Sequence, residues 1–156
     1  MDLIYAALLA VLVGRGLRHL LPEVGGKQVA FWGCASLAVF APVLASSSVH
    51  LPLDYLAAFQ PWSGPAPHNA LLTDLVTQIL PFRHAVREAL LSGHLPFWAH
   101  GLGTGSPLIE NAQASVFSPL HLLTLPLPTP RALTVVAAMQ IFLALALSHA
   151  LAASLG

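Results

Sequence analysis

Three long apolar runs, separated by polar sequence rich in proline and glycine, set the pattern of this chain. The middle run, Val29 to Val49, has no charged side chain and matches the roughly 20 apolar residues that a spanning helix requires. Pro42 predicts a bend within it, because proline removes a backbone donor and crowds the preceding turn. Gly33, Ala35, Ser36, Ala38 and Ala41 offer a small-residue surface for close helix packing. The last run, Ala132 to Leu155, is interrupted only by Gln140, Ser148 and His149. Gln140 and His149 are expected to face other helices, where a polar group in a membrane finds a partner. The first run, residues 3–21, is shorter in its apolar core, and Arg15, Arg18 and His19 must snorkel to an interface if it spans. It reads as a span, with a helix lying flat on the membrane as the alternative. Its positive charges follow the apolar stretch, which does not fit a secretory signal. Pro22, Gly25 and Gly26 end it.

Residues 50–131 are different in kind. His50 to Pro67 is proline-rich with little periodicity, an irregular arm whose Tyr55 and Trp62 suit the headgroup level. Asn69 is placed to cap a helix, along which Leu72, Leu75, Val76, Ile79, Phe82, Val86, Ala89 and Leu90 form an apolar stripe at helical spacing. This predicts an amphipathic helix along the interface or against the spans. Pro81 should kink or split it near Leu80, and Ser92 and Gly93 close it. His94 to Gly105 (HLPFWAHGLGTG) is turn-forming sequence around Phe97 and Trp98. A short helix is expected around residues 110–116, then an extended lead over residues 122–130 into the last span. The chain therefore reads as a single membrane domain.

Composition strengthens that reading. The 156 residues are 56% hydrophobic and 8% charged, with mean hydropathy +0.77, whereas a soluble domain carries about a quarter charged residues. Net charge is zero, which leaves no basic patch for nucleic acid. The lone Cys34 excludes a disulfide framework and a Cys-based zinc motif, and is expected to be a buried, inert thiol. Arg15, Arg18 and Lys27 cluster between the first two runs, so that short loop should be cytoplasmic and loop 50–131 outside.

Candidate chemistry lies in that loop. Asp74 falls in the first turn of the expected helix, where the helix dipole favours a carboxylate; it suits a metal ligand, a general base or an ordinary helix start. Gln78 is four residues on, hence on the same face. Asp54 reads as a turn residue. Glu110 with Asn111 and Gln113 forms a polar cluster, unusual in so apolar a chain. Six histidines lie in the loop, but no His-x3-His pair marks a zinc site, so a histidine-bearing metal-handling protein is a minor reading. The serines show no nucleophile-elbow pattern.

Taken in order, Asp74, Gln78, Pro81-Phe82, Gly93, Leu95-Pro96, Trp98, Gly103, Gly105, Pro107-Leu108, Gln113-Ala114, Phe117 and Pro119 form a series. This series resembles the first large outer loop of YfhO-like bacterial membrane proteins, and LPLDYLAAFQPW looks like the arm that precedes it. The resemblance implies an all-α polytopic fold of GT-C type, with about three of its transmembrane helices present here. It also implies the bacterial inner membrane, with the active site on the outer face beneath the loop. Enzymes of this type are glycosyltransferases that take a sugar from a polyprenyl-phosphate donor. Asp74 then takes the catalytic or metal-coordinating position, with Mg or Mn as the implied cation, and Gln78, Trp98, Glu110 and Gln113 line the donor or acceptor groove. Two places depart from the family pattern: Trp98-Ala99-His100 where it has Trp-Asn-Pro, and Ile109-Glu110-Asn111-Ala112-Gln113 where it has Leu-Ala-Asn-(Pro)-Gln. Such a core needs several further spans, so the chain is expected to be an N-terminal piece or to need partner helices, and to be inactive alone. A non-catalytic membrane subunit, whose loop docks a partner or lipid carrier, is the alternative.

Overall fold

The computed structural model describes every residue except Glu23, Pro65, Pro67 and Gly156. Its elements in order are α1 (Asp2–Leu20), α2 (Gly26–Leu44), α3 (Leu80–Leu91), the two-residue strands β1 (Trp98–Ala99) and β2 (Ser106–Pro107), α4 (Pro119–Leu123) and α5 (Thr129–Ser154). Three of them, α1, α2 and α5, are long and apolar enough to cross a membrane. The chain divides into two compact units, residues 1–49 with 134–156, and residues 50–133.

In the first unit the helices meet through small residues. A Cβ on Gly14 of α1 would lie 2.9 Å from Val29 Cγ1 and 3.6 Å from Phe142 Cζ, and one on Gly33 would lie 3.7 Å from the Phe142 ring. Glycine at position 14 is thus what lets Val29 of α2 and Phe142 of α5 close on α1. Ser36 is fully buried, and its hydroxyl donates to the carbonyl of Ala138 across to α5. Of the expected small-residue surface, Gly33 and Ser36 are buried while Ala38 faces outward. His149 turns inward, its ring 6.1 Å from that of Trp32.

Three expectations are corrected here. The second span begins three residues early and stops at Leu44. Ser46 bonds back to Val43 O at 3.1 Å and accepts from Ser48 N at 3.1 Å, and such local serine bonds compete with helix continuation. Cys34 is exposed: its neighbours Gly33 and Ser36 turn to α5, at Phe142 and the Ala138 carbonyl, while Cys34 lines the open groove between α1 and α2. Gln140 is also exposed, so only His149 of the two polar residues faces a neighbouring helix.

The second unit has a core of its own, made of Val86, Ala99, Leu108, Ala114 and Val116, with Phe82, Ala85, Leu90, Leu102 and Ile109 packed on it. β1 and β2 pair antiparallel, Trp98 opposite Pro107 and Ala99 opposite Ser106. The connecting turn uses Gly103 and Gly105, at φ +59° and +105°. At Gly105 the indole of Trp98 occupies the space a Cβ would take, so only glycine permits that closure. Apart from Leu72, which is exposed, the amphipathic stripe packs inside this unit: α3 lies on the hairpin and on the 3₁₀ turn Ala112–Ala114.

Candidate functional site

The segment that carries Asp74 is built from its N-terminus. Asn69 caps it as expected, its side chain accepting from Leu71 N–H at 3.1 Å. The first turn is 3₁₀, Ala70–Leu72, so Asp74 stands in the second turn and not the first. The dipole argument for its carboxylate is weakened accordingly, since that effect fades beyond the first turn. From Leu75 to Ile79 the helix is π, and Leu80 N–H reaches back five residues to Leu75 O. The cause is Pro81, at the start of α3. Its ring would press on the carbonyl four residues earlier and it brings no N–H; the wider turn gives the ring room. The expected split near Leu80 thus takes the form of a change in helix type.

Asp74 and Gln78 share one exposed face, with Gln78 Nε2 donating to Asp74 Oδ1 over 3.5 Å, a contact at the weak limit. The π turn packs against the Ala112–Ala114 turn, where Asn111 caps by accepting from Gln113 N–H at 2.9 Å. The structure therefore sets the Asp74–Gln78 element beside the one that carries Gln113. Glu110, expected in a short helix, precedes that turn in an exposed bend; the helix shrinks to three residues because Ser115 adopts a left-handed conformation, φ +50°, which ends it. Trp98 is 49% exposed. The expected extended lead is also revised: residues 119–123 form α4, started by Pro119 at its first turn where a missing N–H costs nothing.

Three features were not read from the sequence. Arg83 is buried at 5% exposure; its Nη1 donates to Ala114 O at 2.6 Å and Ser115 O at 3.0 Å. Burial lowers its pKa to about 10. One turn on, Arg87 Nε donates to Leu125 O and Leu127 O at 3.0 and 2.8 Å. Two arginines four apart on one face of α3 thus tie the helix to both downstream turns. Their i, i+4 spacing without acidic partners at matched spacing was the available signal: like charges placed so repel unless each has acceptors of its own. His121, buried at 8% exposure, lines a cavity of about 10 Å³ with Arg83, Arg87, Thr124 and Thr129. Among the described residues its Nδ1 has no hydrogen-bond partner, and burial, then the nearby Arg83 charge, lowers its pKa to about 4. Asp54, read as a turn residue, accepts from His68 N–H at 2.7 Å and contacts His68 Nδ1 at 2.9 Å, and these bonds hold its carboxyl below the usual range.

Among the described residues no three His, Cys, Asp or Glu side chains gather around a common point that could hold a metal ion. Asp74 offers one carboxylate and Gln78 one amide oxygen. A Mg ion commonly takes one or two carboxylates and completes its shell with substrate phosphates and water, so Asp74 could contribute an anchor but not a cage. No family model matches this chain, and no similar curated protein or solved structure was found.

Proposed function

We propose that the chain is the loop-bearing part of a membrane glycosyltransferase that moves a sugar from a polyprenyl-phosphate donor on the outer face of the membrane. The supporting observation is that the π turn Leu75–Ile79, which carries Gln78 and directly follows Asp74, packs against the 112–114 turn, in a loop unit with its own core. A mere connector between spans needs no such core. In this reading the Asp74 carboxylate accepts the proton of the acceptor hydroxyl as its oxygen attacks the sugar's anomeric carbon. The bond from that carbon to the donor phosphate breaks, and polyprenyl phosphate leaves. Gln78 orients Asp74, and Gln113, Glu110 and Trp98 border the groove. A divalent cation, where bound, would neutralise the donor phosphate with Asp74 as its protein anchor. Further transmembrane helices, from the same or another chain, would cover the site.

The test is Asp74→Asn in the complete membrane assembly, assayed with a radiolabelled polyprenyl-phosphate sugar. Loss of about 100-fold or more in transfer is expected for a general base, with protein level unchanged. Transfer at the wild-type rate removes Asp74 from catalysis. One observation favours the alternative, a non-catalytic subunit: Leu95, Phe97, Trp98 and Phe117 leave large apolar surface exposed on the loop, Phe117 at 71%, as a docking face does. Wild-type transfer with Asp74→Asn, combined with loss on Phe117→Ser, is the outcome that reading expects.

A further inference from the structure

A second site is present in the membrane-spanning unit, independent of the loop. Between α1 and α2, with Phe142 of α5 at its floor, runs a groove of about 360 Å³ lined almost wholly by apolar groups. Ala10, Gly33 and Leu37 line its length, and Arg15 and Arg18 line one end. The guanidinium of Arg18 lies against the backbone of Gly26, where a Cβ would stand 3.1 Å from its Cζ and Nη1. Gly26 is the first residue of α2, and the Gln28 side chain folds back over the N-cap Gly25, so the guanidinium itself is the cationic group at this end of the groove. Lys27 follows, exposed. Over residues 15–28 the sequence sets three cationic side chains against one carboxylate, Glu23.

We infer that this groove binds one anionic glycerophospholipid, its phosphate held by Arg15 and Arg18, and one acyl chain lying along the groove. The charge at one end and the apolar length behind it match the two parts of such a lipid. Basic pockets between spanning helices are suited to anionic headgroups. A neighbouring helix in the same place would have to bury both guanidiniums and supply acceptors from its own side chains, an expensive arrangement in a membrane. A free phosphate would leave the apolar length unfilled.

The experiment is native mass spectrometry of the purified chain in mild detergent, after exchange with equal amounts of phosphatidylglycerol and phosphatidylcholine of identical acyl chains. The wild type should retain one phosphatidylglycerol in preference to phosphatidylcholine. The double variant Arg15→Gln, Arg18→Gln should lose that preference by about 30-fold, two surface cations at about fivefold each. Ala30→Phe fills the groove from an exposed position at constant charge and should release the lipid as well; soluble glycerol phosphate should not displace it. Circular dichroism shows whether Ala30→Phe stays helical, and if it does not, the glutamine variant decides alone. Equal retention of the two lipids by the wild type overturns the proposal. So does undiminished preference in the glutamine variant, or a second polypeptide that occupies the groove and excludes lipid.

Discussion

The two units of this chain solve the same problem with opposite means. In residues 1–49 and 134–156, helices close on one another through absent side chains: Gly14 admits Val29 and Phe142, and one hydroxyl, Ser36, links α2 to α5. In residues 50–133 short helices alternate with turns, whose carbonyls cannot all find partners in a ladder, and two arginines collect those of Ala114, Ser115, Leu125 and Leu127. A spanning helix satisfies its own backbone, so its contacts need only shape. A turn-rich unit leaves carbonyls over, and an unpaired buried carbonyl is costly. Polar side chains should therefore matter little in the first unit and a great deal in the second.

That contrast can be broken at its strongest point. Arg83→Met keeps the length of the side chain but strips Ala114 O and Ser115 O of their donor. It should destabilise the loop unit by about 3–4 kcal/mol, read as lost hydrogen-exchange protection over residues 82–116. If the loop keeps its protection, arginine is not what holds it. Acid is the next lever. His121 is buried neutral, with its pKa lowered from 6.5 to about 4. Its contribution is therefore fully present above pH 6.5 and is lost as pH falls toward 4. The loss should approach about 3 kcal/mol, seen as falling protection of loop amides between those values. His121→Phe, which cannot titrate, should flatten the curve.

On the other side of the comparison, Gly14→Leu must push Val29 or Phe142 aside. It should cost about 2 kcal/mol by overpacking, measured as lowered resistance of the helices to denaturing detergent. Ser36→Ala removes the buried hydroxyl bond between α2 and α5 and should cost only about 0.6 kcal/mol in the same assay. A Ser36→Ala effect as large as that of Arg83→Met would erase the distinction between the units.

The same distinction explains what could be read in advance. Val29 to Val49 and Ala132 to Leu155 announced two helices long and apolar enough to span because an unbroken apolar run is a signal summed over many residues, and both formed with ends moved by a few positions. The stripe from Leu75 to Leu90, the Asn69 cap, the Pro81 split and the Gly93 stop were legible for a similar reason, each being local chemistry. The roles of Arg83, Arg87 and His121 were not, because a carbonyl thirty or forty residues away leaves no mark on the spacing around an arginine. Burial of Ser36 against Ala138, 102 residues apart, was hidden in the same way. Asp74 and Gln78 were found as a pair by their spacing, while their neighbour, the 112–114 turn, emerged only once the loop had folded.

The π turn has one more consequence, which concerns phase. A helix that takes one extra residue into a turn shifts everything before it by about 100° relative to everything after it. Leu75–Ile79 is such an insertion, placed between Asp74 and the arginines of α3. It acts as an index: the direction in which Asp74 points is set independently of the direction in which Arg83 and Arg87 must point to gather their carbonyls. Were the same residues to run as an unbroken α-helix, the Asp74 carboxylate would swing by more than a quarter-turn relative to Arg83 and Arg87, whereas deleting Thr77 together with the π turn would leave that direction nearly unchanged.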